Sequence, residues 1–484
     1  MPVRWRGHLS SFPMVRVAII SALALMAFTS ACMRLIIQST RPSPMSREAD
    51  RAQLLTAMRI IAKSIVIIEP ALPKVGHSEY ANAMSRLDDL LRSIVKSGDA
   101  DALRAVGILY GYLGMQERAN ECLNEFIRLK EAGGGITEGE LKLWRRMLME
   151  KPVALDELKT LERGIDGLQL GWLGQVAKAW LYERAFMFVQ SERMKSSLRA
   201  SAIRSLLPLF LLLMVVGMFC LVGIVLSPVL LILLFRGLRL RRRGTGDVSA
   251  NPHLLFEAFA VYLFLMEIVT PMVVRALPHR VAAQDVTVSL IAVMIANEAI
   301  SALSILWLAM LLYARSSNMS AVGLKVDAIA KDLLHGFITY ISMLPWVWLA
   351  SALSMLISKW LFGRLSEPAH PIAQVMMFAS SKAFIITVFL TGVLAAPVIE
   401  ELIFRGALYS ALRQRMGVLS GAVLSSLLFA ILHPQSIVGV PPLFIVGIAL
   451  SLLYELRRSV IGCIFAHALI NFFSLLILTL LTSL

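Results

Sequence analysis

Charge is the first thing this chain lacks. Only 16% of its 484 residues are Asp, Glu, Lys or Arg, against 57% hydrophobic. Several apolar runs are longer than about 18 residues, so the chain reads as a polytopic membrane protein. Cysteine is scarce too: Cys32, Cys122, Cys220 and Cys463 form no CxxC and no tight cluster. That excludes a disulfide scaffold and a thiolate metal site. GxSxG and HExxH are both missing, which sets aside the serine-nucleophile elbow and the usual zinc-protease helix. There is no clear internal repeat with paired broken helices, as a transporter would need. The net charge of +15 is carried largely by short Arg runs beside apolar helices, the pattern of cytoplasmic loops. No recognition motif accompanies it, so nucleic acid is not an expected partner.

Arg4, Arg6 and Arg16 precede an apolar run from Val17 to Met33. Residues 1–34 read as a signal anchor or signal peptide, and Arg34 with the length of the run favours the uncleaved anchor. Thr29-Ser-Ala-Cys32 lacks the aliphatic residue that a lipoprotein cleavage site has three positions before its cysteine. Either reading places the chain after residue 34 outside the cytoplasm. Residues 35–200 are polar enough to be a soluble helical domain. Leu103, Gly107, Tyr110, Gly114 and Ala119 are spaced as in one weak tetratricopeptide-type hairpin. Glu131 to Gly135 is a loop, and Thr137 with Glu140 reads as a capping box opening the next helix. No catalytic constellation falls here. The expectation is an extracytoplasmic interaction or sensing module with a protein partner.

Transmembrane helices fill residues 201–375, and a final bundle fills 376–484. Candidate spans are Leu206–Phe235, Leu254–Val274, Val286–Tyr313, Gly336–Ile357, Ala383–Leu412, Val418–His433, Leu443–Leu456 and Val460–Leu481. The expected fold is therefore all-α, a transmembrane bundle of about eight or nine spans. Arg236, Arg239 and Arg241–Arg243 mark the cytoplasmic end of the first of these spans. Arg413, Arg415, Arg457 and Arg458 then fall on that side too, with Arg275 and Arg280 as an exception outside. A bacterial inner membrane suits this architecture.

Within Ala383–Leu412 stands Pro397-Val-Ile-Glu400-Glu401-Leu-Ile-Phe-Arg405-Gly406. A charge at that depth costs at least ~2.5–3.5 kcal/mol on insertion scales, so it needs a partner and a purpose. Glu401 and Arg405 share a helix face at i, i+4. Glu400 is rotated ~100° away and points at another neighbour. One carboxylate is neutralised in place while the other stays free. Two further motifs lie in the last spans, Phe429-x3-His433 and His467-x3-Asn471. At ~1.5 Å per residue, Glu400 lies ~20 Å from Arg413, His433 ~24 Å from Gly417 and His467 ~14 Å from Arg458. All three fit inside a ~30 Å hydrocarbon core, so three helices can present them to one chamber. A buried glutamate that takes a proton from water, imidazoles that hold the water or a metal, and an amide donor for an oxyanion are the parts of a hydrolase.

These motifs resemble those of the CPBP intramembrane proteases, the family of type II CAAX prenyl proteases and of bacteriocin-processing and immunity proteins. Glu-Glu-x3-Arg at 400–405, Phe-x3-His at 429–433 and His-x3-Asn at 467–471 carry the resemblance, with Pro397 and Phe404-Arg405-Gly406 beside them. It covers about Phe378 to Leu475. The resemblance implies endoproteolysis of a peptide or membrane protein, with Glu400 activating water and His433 helping to hold it. It makes His467 a second holding group, Asn471 the oxyanion donor and Glu401 with Arg405 an orienting pair. If the enzyme is a metalloprotease, Glu400, His433 and His467 are the ligands for Zn²⁺; a metal-free route uses the same groups. A CAAX substrate requires prenylation and is not carried over. The alternative is a non-catalytic scaffold or immunity protein that binds a partner with the same fold. Glu257, Glu267 and Glu298 are read as helix contacts or cavity-lining residues, and Phe429 as packing.

Overall fold

The computed structural model describes residues 44–68, 99–148, 152–241, 250–276, 286–315, 317–362, 381–433 and 437–483, with residues 85, 88, 89, 91, 92, 95 and 376. The expected anchor at 1–34, Pro434, Arg242, Arg243 and Arg280 lie outside the described residues. Among the described residues all regular structure is helical. The chain divides into two compact units, one built chiefly from Glu48–Leu213 and the other from Met214–Thr479.

The first unit contains α1 (Pro44–Ile68), α2 (Ala100–Tyr112), α3 (Gln116–Glu131), α4 (Glu138–Leu148), α5 (Leu155–Gly167), α6 (Trp172–Arg184) and the start of α7 (Phe188–Arg241). Asp99 caps α2, its carboxylate accepting the Ala102 N–H at 2.9 Å. The expected hairpin is α2 and α3, with Phe126 of α3 stacked on Trp144 of α4 at 5.0 Å between centroids. Only half of the expected capping box forms. Thr137 Oγ1 accepts the Glu140 N–H at 3.1 Å. The Glu140 carboxylate turns inward instead, taking Arg104 Nε at 2.7 Å and the Trp144 indole N–H at 3.0 Å. A charged guanidinium in a buried site outcompetes a solvated backbone N–H.

The second unit continues through α8 (Pro252–Arg275), α9 (Val286–Ala314), α10 (Ile329–Phe362), α11 (Lys382–Met416), α12 (Val418–Leu432), α13 (Val440–Arg457) and α14 (Ile461–Thr482). Among the described residues seven helices are long and apolar enough to cross a membrane: the 188–232 part of α7, α8, α9, α10, α11, α13 and α14. This is fewer than the eight or nine expected. The N-terminal run is not described, and α12, at 15 residues, is ~22 Å long and stops short of a ~30 Å core. It ends where His433 begins, at an extended backbone of φ −68° and ψ 139°.

Arginines expected to mark the cytoplasmic side are bonded to buried acids. Glu455 of α13 accepts Arg413 Nε at 2.6 Å, Arg458 at 2.7 Å and the Tyr409 hydroxyl at 2.9 Å. Asp332 of α10 accepts Arg457 Nε at 2.7 Å. Prolines inside spans also leave a mark. Pro345 in α10 has no N–H to give Ile341, and a Cβ on Gly223 of α7 would meet that carbonyl at 2.1 Å. Only glycine lets the two helices approach there.

Candidate active site

The site grows from α11, which is not a continuous α-helix. Wide π-helical turns occupy Leu390–Ala395 and Leu402–Tyr409, on either side of an α-helical segment from Ala396 to Glu401. Pro397 explains the first. It has no N–H, and its ring crowds the carbonyl one turn back, so the helix widens before it. Such turns re-aim the side chains beyond them and recur at functional sites. The sequence carried the signal in Pro397, three residues before Glu400. The second wide turn has no such mark.

Glu401 and Arg405 are fully buried. Arg405 Nη1 donates to Glu401 Oε1 at 2.9 Å, and Nη2 reaches the Gly447 carbonyl of α13 at 3.4 Å. The guanidinium lies over the Phe429 ring, 4.4 Å from its centroid, a cation–π contact strengthened by burial. Phe429 also packs edge-on to Phe404 at 5.1 Å and lies beside His433 at 4.3 Å and His467 at 5.8 Å. It is the packing residue expected, placed at the centre of the group.

The two imidazoles are held alike. His433 Nδ1 is 2.7 Å from the Phe429 carbonyl, and His467 Nδ1 is 2.8 Å from Glu401 Oε1. A carbonyl oxygen only accepts, so Nδ1 of His433 carries the hydrogen, and the Glu401 carboxylate assigns the same to His467. Both Nε2 atoms are then turned to Glu400. His433 Nε2 lies 3.3 Å and His467 Nε2 3.8 Å from Glu400 Oε2. That oxygen has no hydrogen-bond partner. Glu400 and His433 keep 19% and 16% of their side chains exposed while His467 keeps 5%, so the open side of the cluster is at Glu400 and His433.

Five of the six residues expected from the sequence therefore meet: Glu400, Glu401, Arg405, His433 and His467. Asn471 stands apart from them in its bonding, its Nδ2 donating to the Gly392 carbonyl at 2.7 Å. Glu298 lies on α9, which packs against the Ala396–Glu401 segment. Glu257 and Glu267 are buried in α8, Glu267 within another wide turn at Leu265–Val269. Among the described residues no group of three or more His, Cys, Asp or Glu side chains is arranged to hold a metal ion.

Comparison with known proteins agrees with the motifs. Residues 382–473 match the family model described as type II CAAX prenyl endopeptidase Rce1-like, a model that falls within the CPBP family. The match begins at the first residue of α11 and ends in α14, so it takes in every residue of the cluster. No curated protein and no solved structure matches the chain. At the level of the family, the match is to a protease of the CAAX type in a multi-pass membrane protein.

Proposed function

We propose that this protein is an intramembrane endopeptidase that hydrolyses a peptide bond of a peptide or membrane protein with water activated at Glu400. The observation that carries this reading is the convergence of Glu400 Oε2 with two imidazoles, 3.3 Å from His433 Nε2 and 3.8 Å from His467 Nε2. With each Nδ1–H already bonded, three acceptors converge on one point. A water molecule, with two hydrogens to donate, is the natural occupant. Its proton passes to the Glu400–His433 pair as its oxygen attacks the peptide carbonyl carbon. The same proton then goes to the departing amine as the C–N bond breaks. Glu401, neutralised by Arg405, fixes the tautomer of His467 so that Nε2 faces the reaction.

If a zinc ion took part, Glu400, His433 and His467 would be its donors and it would acidify the same water, though these side chains are not arranged as a metal-holding group in the structure. The assay therefore includes chelator and added zinc. Purified wild type and Glu400→Gln are incubated in detergent with a library of apolar peptides. Cleavage by the wild type, and a loss of about 10³-fold in the mutant, is the expected result. Equal activity in the two would overturn the base role of Glu400. Absence of cleavage in both, with partner binding retained, would favour the scaffold reading. We place the Arg413 and Arg457 ends of α11 and α13 in the cytoplasm and residues 35–200 outside it, in a bacterial inner membrane. Labelling of single cysteines from either side of the membrane tests that placement.

A further inference from the structure

The Asn471 amide is bonded to a carbonyl, and the reason lies in the ladder of α11. In an α-helix the Gly392 carbonyl accepts the Ala396 N–H; in a π-turn it accepts from residue 397. Here the Ala396 N–H is given to Thr391. Residue 397 is proline and has no N–H to give. Neither register of the helix serves Gly392, and Asn471 Nδ2 sits 2.7 Å from its oxygen. The approach is close: a Cβ on Gly392 would lie 3.2 Å from Cδ1 of Leu475, one turn along α14 from Asn471. The missing side chain at 392, the missing N–H at 397 and the amide at 471 form one arrangement.

We infer that Asn471 is a positioning residue, which replaces the backbone donor removed by Pro397 and so locks the wide turn that aims Glu400 at His433 and His467. A buried carbonyl left without a donor in an apolar helix bundle is costly, and a return to the α-register would only move the orphan from Gly392 to Val393, whose α-helical donor would be Pro397, while turning every later residue about the helix axis. Eight residues separate Gly392 from Glu400, and the wide turn at Leu390–Ala395 sets the phase of that stretch. The role differs from direct donation to an oxyanion. It also rests on the proposed endopeptidase reading only for its catalytic readout.

The test is a double-mutant cycle on Pro397→Ala and Asn471→Ala, read both as peptide cleavage and as thermal stability in detergent. Pro397→Ala returns an N–H to the point where the ladder lacks one. Asn471→Ala alone is expected to lower kcat at least tenfold with KM little changed, and to lower Tm. In the Pro397→Ala background the same change is expected to cost less than about threefold in kcat and to leave Tm unmoved. Asn471→Asp, which presents a carboxylate to the carbonyl, is expected to fail like Asn471→Ala. An oxyanion donor behaves otherwise: its removal costs about 10²–10³-fold in either background, with no coupling in Tm. Equal losses in both backgrounds would overturn the inference. If no variant or wild type cleaves anything, the endopeptidase reading fails, and the coupling in Tm still decides the role of Asn471.

Discussion

Helix α11 carries two buried groups of acids and bases about two turns apart, and they differ in completeness. Around Glu455 both carboxylate oxygens are bonded, Oε1 to Arg413 at 3.1 Å and Arg458 at 2.7 Å, and Oε2 to Arg413 at 2.6 Å and Tyr409 at 2.9 Å, and the atom left over is a donor, Arg458 Nε. Around Arg405 the count is short. Glu400 Oε2, Glu401 Oε2 and Arg405 Nε have no hydrogen-bond partner. Folding alone selects for the first kind of group, because an unpaired buried polar atom costs about 1–3 kcal/mol. The second kind keeps acceptors in reserve. The first kind holds the bundle, and the free acceptors of the second are the ones that the proposed reaction would use.

Breaking each group in turn separates the two roles. The largest effect belongs to Glu400→Gln, which removes a proton acceptor and little else. Cleavage is expected to fall by about 10³-fold while Tm in detergent stays within about a degree, measured by a thermal shift on the same preparation. Glu455→Ala is the opposite case. It strands two arginines and a tyrosine in a nearly dry site, at a cost of about 3–5 kcal/mol. Tm should drop sharply, while activity per folded molecule, titrated against the surviving fraction, stays near wild type. A Glu455 variant that folds normally would mean that the group is wetter than its 2% exposure implies.

Arg405→Lys sharpens the comparison from within the site. Lysine keeps the charge beside Glu401 but loses the fork that also reaches Gly447 and the flat face on Phe429. The expected loss is about 2 kcal/mol, shared between stability and cleavage. A pure charge-neutralising role for Arg405 would leave the lysine variant unaffected, and equal Tm and kcat would show it.

The sequence showed the candidate cluster better than it showed the framework around it. Glu400, Glu401, Arg405, His433 and His467 were legible because charge is rare in apolar helices and each such residue demands an explanation. Spacing even placed Glu401 and Arg405 on one face, which the 2.9 Å bond reproduces. The hidden part was register. A helix wheel assumes one period, and the wide turns at Leu390–Ala395 and Leu402–Tyr409 break it twice. Pro397 signals only the first of them. The bond from Asn471 to Gly392 was illegible for the same reason, since a backbone carbonyl without a donor leaves no trace in residue identity. The arginines expected on the cytoplasmic side stood out in the sequence, yet Glu455 and Asp332, their buried partners, pass there for ordinary end-of-helix charges.

Glu140 extends the comparison to the unit of residues 48–213, and with the smallest effect. It too is a buried acid, 6% exposed, whose oxygens take Arg104 Nε at 2.7 Å and Nη2 at 2.9 Å with the Trp144 indole at 3.0 Å. Burial works against its ionised form, but the bonds from Arg104 and Trp144 outweigh it and hold the carboxyl below its ordinary value of 4.5. A carboxyl with a lowered folded pKa binds fewer protons folded than unfolded. Its stabilisation is full above the unfolded value and is lost as pH falls through the folded one. Glu140→Gln keeps the shape and an acceptor but not the charge, and is expected to cost about 1–2 kcal/mol at neutral pH. The gap between wild type and mutant should then close as pH drops below about 4.5. Unfolding of the full-length protein followed by Trp fluorescence, Trp144 being packed against the carboxylate, gives both curves. A gap that stays constant down to about pH 3, well below the ordinary carboxylate range, would mean that the Arg104 bond adds nothing beyond the packing, and Glu140 would then be filler rather than a completed pair.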